Sequence, residues 1–148
     1  MTPELYSLLS RVHGLVGFTA LASLTFPIVA LRVQRDLGRW TLRMAEVSVI
    51  MLLIITGLGV FLYGTYKGGV EPAFMERAPN LAHLFQSKEH LAVLALCSAL
   101  GGASVLRLSD GASVSREVAW VLLFGAWLLV FLTGAAGVIV ASGAHPAW

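Results

Sequence analysis

Charge is the scarcest commodity in this chain. Lysine, arginine, aspartate and glutamate make up 12% of its 148 residues, against 57% hydrophobic. Soluble domains are about 25% charged, and a globule this small has too much surface to cover with so few charged groups. The shortage excludes a soluble enzyme, a disordered tail and a nucleic-acid binder. Cysteine is nearly absent as well. Cys97 stands alone, which excludes a disulfide framework and any cysteine-rich metal site. There is no glycine-rich phosphate loop, no nucleophile elbow and no zinc-protease signature.

What is present comes in long apolar runs. Crossing hydrocarbon takes about 20 apolar residues at 1.5 Å each. Val12–Leu31 and Val118–Ala141 carry no charge, and Leu42–Tyr63 holds only Arg43 and Glu46 near its start. Leu91–Leu106 is shorter but is extended upstream by a helical pattern. Polar or glycine- and proline-rich breaks fall at Arg32–Thr41, Gly64–Asn80 and Arg107–Glu117. The expected fold is an all-α membrane protein, an up-down four-helix transmembrane bundle forming one membrane domain over residues 1–148. Its helices are expected near residues 4–33, 42–64, 81–107 and 117–142. Ala20-Leu21-Ala22 has the look of a cleavage site. The stretch before Arg11 holds Glu4 and no base, however, so the first span reads as a retained helix. Thr2-Pro3-Glu4 offers that helix a cap, and Pro27 is expected to kink it.

Lysine and arginine in short connections set orientation. Arg32, Arg35, Arg39, Arg43, Arg107 and Arg116 lie in or beside two short connections. Arg11, Lys67, Arg77 and Lys88 lie on the other side, spread over a longer stretch. This sorting predicts a bacterial-type inner-membrane protein with both termini outside, lipid being its first partner.

A shift of 77 residues lays one half of the chain on the other, with repeat halves 1–71 and 78–148. Ser10-Arg11-Val12-His13 falls on Ser87-Lys88-Glu89-His90, and Thr56-Gly57 falls on Thr133-Gly134. His13 to Thr56 and His90 to Thr133 are both 43 residues. Two duplicated helical hairpins would be related by a pseudo-twofold along the membrane normal. The first and third spans would then sit on a diagonal, with His13 and His90 facing one another. Both lie about 25–29 Å above the inner arginines, in the outer leaflet.

Ionisable side chains inside spans mark functional sites. This histidine layer is rich in glycine: Gly14 and Gly17 beside His13, Gly57 and Gly134 at the same depth. Those glycines predict room for something bulky and flat. Neutral imidazole suits iron, haem accepts axial histidine, and bundle cores are recurrent cofactor sites. Thr56 and Thr133 would hydrogen-bond the second nitrogen of each ligand. The expected cofactor is haem b on His13 and His90, with His83 a weaker alternative ligand. The layout is similar to four-helix membrane cytochromes of the b type, an architectural analogy only. For a single histidine the plain reading is a hydrogen bond to a neighbouring helix or a place at the headgroup boundary.

The function expected is therefore a small b-type cytochrome passing electrons between membrane quinol and an exterior redox protein. The alternative is a non-catalytic structural subunit of a larger membrane complex, followed by a carrier of protons, metal or small molecules. A carrier needs polar continuity across both leaflets, and the inner half offers little beyond Glu46, Ser48 and scattered hydroxyls. Other features read as structure. Glu46 is expected to pair with Arg43 along its own helix, and Cys97 to be inert packing. Gly101-Gly102 reads as a close-packing patch, and Trp40, Trp120 and Trp148 as interfacial anchors. His145 reads as an exposed tail residue. Tyr63, Tyr66, Phe74 and Phe85 gather at the outer side, where residues 64–88 are expected to cover the bundle.

Overall fold

A computed structural model describes residues 1–33, 39–109 and 113–143. Arg35, His145, Trp148 and the side chain of Phe74 lie outside the described residues. Among the described residues the structure is helical and without strands: α1 Pro3–Val33, α2 Arg39–Thr65, a π-helical turn Tyr66–Val70, α3 Glu71–Arg77, α4 Pro79–Leu108 and α5 Ser113–Gly143. Among the described residues α1, α2, α4 and α5 are long and apolar enough to cross a membrane.

Local chemistry accounts for the helix starts. The Thr2 hydroxyl accepts the Leu5 N–H at 3.3 Å, capping α1 just before Pro3. Pro27 is buried, and α1 runs on through it to Val33 although Pro27 cannot donate to the Ser23 carbonyl. Helix α4 starts at Pro79, with the Ala78 carbonyl accepting the Leu81 N–H at 2.9 Å.

Helix α1 packs on α2 and α5, and α4 packs on the same two. Among the described residues neither α1 with α4 nor α2 with α5 makes a close backbone approach. The α4–α5 seam is built from small residues. Ala95, Ala99, Ala119 and Ala126 are buried there, and Gly102 sits against Leu123 and the Ala119 carbonyl. Ser98 adds a hydrogen bond to the Leu122 carbonyl at 2.7 Å. Such residues let helix backbones approach closely where lipid supplies no hydrophobic drive.

The α1–α5 seam is aromatic and polar. Trp120, Phe124, Trp127 and Phe131 form a stacked ladder along α5, and Trp127 donates to the Thr25 hydroxyl at 3.1 Å. At its inner end Arg32 lies 3.8 Å over the Trp120 ring and 3.3 Å from Glu117. Arg116 donates to the Leu31 carbonyl at 2.7 Å, satisfying a carbonyl that the end of α1 leaves open. Glu46 departs from expectation. It pairs with Arg107 of α4 at 3.1 Å, so the contact ties two helices together.

Candidate functional site

Each half of the proposed histidine pair must be placed by its own helix. On α1 the buried residues Ala20, Leu24, Pro27 and Leu31 define an inward face, and His13 continues that face two turns before Ala20. Its ring is half-buried against α2, with Cε1 only 3.3 Å from where a Cβ on Gly59 would stand. Nδ1 is buried and has no hydrogen-bond partner.

His90 lies differently. Below His90 the inward face of α4 is set by Ala95, Ala99, Gly102 and Leu106. At 100° per residue His90 falls on the opposite side, and it is exposed. The half-buried positions beside it are taken by Lys88 and Glu89. The expected face-to-face approach of His13 and His90 across the helix assembly is therefore not what this packing presents. The His90 ring is nonetheless organised: Nδ1 lies 3.0 Å from the Gln86 carbonyl. A carbonyl only accepts, so this bond puts a proton on Nδ1, and in the neutral imidazole Nε2 then carries the lone pair.

The glycines divide in the same way. Gly17 is closed by the Ile55 side chain, 2.7 Å from a Cβ position, and Gly59 by His13 itself. Gly14, Gly57 and Gly134 are exposed and open, with nothing within 4 Å. The room beside Gly17 and Gly59 is thus occupied by this chain's own side chains, whereas half-buried Gly137 has open space where a Cβ would stand. Thr133 gives its hydroxyl proton to the Leu129 carbonyl of its own helix at 2.6 Å, and Thr56 is half-buried. His83 is exposed on the same side of α4 as His90. Among the described residues no three histidine, cysteine or acidic side chains gather as a metal group.

Two features escaped the sequence reading. The first is the helical form of residues 64–77, which were expected to cover the bundle as a loop. Residues 64–77 and 79–88 are helical, and Tyr66 is buried in a stack on Phe85, ring centroids 3.6 Å apart, with Ala82 and Val140 beside it. Glu71 accepts from Lys67 at 2.8 Å and from Gln86 at 2.9 Å. The Lys67 bond first, then that of Gln86, holds its carboxyl below the usual carboxylate range. The Lys67–Glu71 spacing was the available signal, since i,i+4 pairs meet on helices. The second is the exposed side of α4. Cys97, expected as packing, is exposed, in line with His83, Ser87, His90 and Ser104.

Comparison of the chain with protein-family models, with curated proteins and with solved structures gives no match.

Proposed function

We propose that the chain is a small b-type membrane cytochrome whose haem is held at the outward face of α4 by His90. The observation that carries this reading is the Nδ1 contact with the Gln86 carbonyl at 3.0 Å. It is the back-bond that histidine ligands characteristically make, fixing the tautomer and aiming Nε2 at a metal. When bound, haem would supply one-electron transfer, between membrane quinol and an exterior acceptor. The protein's own contribution is the tautomer, the orientation and the low-dielectric surroundings of that nitrogen.

The rest of the reading follows the same outline. The four spans form an up-down bundle descended from a duplicated hairpin, in a bacterial-type inner membrane with both termini outside. The packing of α1 and α4 on the same two helices supports it, as does the sorting of the bases. An absorption spectrum of protein purified from native membranes is the test. A Soret band that disappears in His90→Ala and survives in His13→Ala is the expected result. A colourless protein, or a band indifferent to His90, overturns the assignment.

A second reading, a structural subunit of a larger membrane complex, is favoured by the exposed polar groups on α4. Lipid gives such groups nothing to bind, whereas a neighbouring helix does. It expects a colourless chain that co-purifies in mild detergent with defined subunits.

A further inference from the structure

Helices α1 and α5 are joined from Thr25 inward: Trp127 bonds Thr25, Arg32 covers Trp120, and Arg116 reaches the Leu31 carbonyl. Outward of that point the two facing surfaces are bare. Gly14 and Phe18 stand 11 and 7 residues before Thr25, on the same face of α1. Gly134 and Val138 stand 7 and 11 residues after Trp127, on the same face of α5. A packed seam would bury all of them. Instead Phe18 is 71% exposed and Val138 70%, and neither Gly14 nor Gly134 has an atom within 4 Å of its Cβ position. The seam therefore parts in its outer half, and a slot walled by glycine opens sideways to lipid.

Behind the slot stand His13 and Lys88. His13 adjoins Gly14, and its Nδ1 is buried without a hydrogen-bond partner. Its ring bonds the Ile55 backbone, so Nε2 makes that bond and holds the proton. Nδ1 is thus a buried acceptor that lacks a donor. Lys88 lies two turns before Ala95, on the inward face of α4, and is half-buried. Its charge acts on the His13 ring. Its ammonium lies 4.0 Å over the Phe85 ring, and among the described residues no oxygen accepts from it. Ionisable groups inside a span face the bundle interior where they serve a site. The antiparallel register of α1 and α5 brings half-buried Gly137 to the depth of His13, with open space at its Cβ position.

One hydroxyl answers both groups, giving its hydrogen to Nδ1 and accepting from Lys88 through its oxygen. Phosphodiester lipids carry no such hydrogen, and glycine on both walls admits a flat molecule. We infer that the slot between α1 and α5 admits a quinol from the bilayer, whose hydroxyl donates to His13 Nδ1 and accepts from Lys88. The choice of a quinol rests on the cytochrome reading, and Lys88 stands two residues before His90 on α4. The site prefers quinol to quinone. A quinone has no O–H for Nδ1, and a buried acceptor rejects the analogue that lacks the donor.

Decyl-ubiquinol, decyl-ubiquinone and the dimethyl ether of the quinol, titrated into the full chain in detergent, test the site. The quinol is expected to bind about tenfold more tightly than the other two. His13→Leu brings the quinol down to the affinity of the quinone and leaves the quinone unchanged, whereas Lys88→Met weakens both. Gly134→Leu fills the slot and abolishes binding. Gly57→Leu, equally open on α2, does not. Equal affinity for the three ligands means partition onto an apolar surface, or a Lys88 that closes on His13 itself, and overturns the site. A quinol preference that ignores both His13→Leu and Gly134→Leu overturns it as well. The Soret band is read on the same preparation. A colourless protein with His13-dependent quinol preference keeps the site and removes the cytochrome. A His90-dependent band without that preference keeps the cytochrome and removes the site.

Discussion

His13 and His90 are the same residue at matched positions of a 77-residue shift, yet their surroundings have little in common. His13 lies against Gly59 with a buried, unpaired Nδ1, whereas His90 is exposed and tied to its own helix. An unsatisfied buried nitrogen costs about 1–3 kcal/mol. His13→Leu removes that nitrogen together with the ring's hydrogen bond to the Ile55 backbone and keeps most of the volume, so thermal unfolding in detergent is expected at a nearly unchanged temperature. A marked drop would mean that His13 holds something. Glu71 gives the pH prediction. Its folded carboxyl titrates lower than the unfolded value of about 4.3. Its stabilising contribution is therefore complete above that value and is lost as pH falls through the folded one. Glu71→Gln lowers the unfolding temperature at pH 7, and its difference from the parent protein shrinks as the pH is taken below 4. A difference that stays constant down to pH 3 would rule out ionised Glu71 as its source.

Among the elements, the apolar runs announced four long helices because lipid demands length and hydropathy at once. What the runs do not encode is rotation. Helix α4 mixes apolar, small and polar residues around its whole circumference, so no amphipathic contrast marks Ala95 and Ala99 as inward and His90 as outward. The helical form of the outer cap was hidden for another reason. Lys67-Gly68-Gly69 reads as a loop, because glycine is a poor helix former, yet a π turn carries the chain through it. There the Glu71 N–H donates to the Tyr66 carbonyl five residues back. The glycines offer a graded test of packing. A Cβ on Gly102 would stand 2.8 Å from Leu123 Cγ and 3.3 Å from a backbone oxygen, neither of which yields easily. Gly102→Ala is expected to cost about 1–3 kcal/mol by overpacking. Gly17→Ala meets only the mobile tip of Ile55 and should cost less, and Gly57→Ala meets open space and should be tolerated. Unfolding in graded denaturing detergent would rank the three, and a Gly102→Ala protein as stable as Gly57→Ala contradicts the α4–α5 seam.

For the molecule as a whole, orientation depends on a few arginines. Arg32, Arg39, Arg107 and Arg116 lie in the last or first turns of their helices, at the ends joined by the two short connections. Three of them also make contacts that bind those ends together: Arg32 with Glu117, Arg107 with Glu46, and Arg116 with the Leu31 carbonyl. The positive-inside rule counts lysine and arginine and largely ignores acids, so pairing with Glu46 or Glu117 does not weaken their vote. The opposite end carries Arg11, Lys67, Arg77 and Lys88, dispersed along helices and not gathered at a connection. With Cys97 replaced by serine, single cysteines at Thr2→Cys and Ser142→Cys should react with a membrane-impermeant maleimide in intact cells. Ser113→Cys, at the start of α5, should react only after permeabilisation. The reverse pattern would put the histidines in the inner leaflet, and an exterior acceptor could no longer be the electron's destination. Equal labelling of all three would mean that the bases fail to fix one orientation.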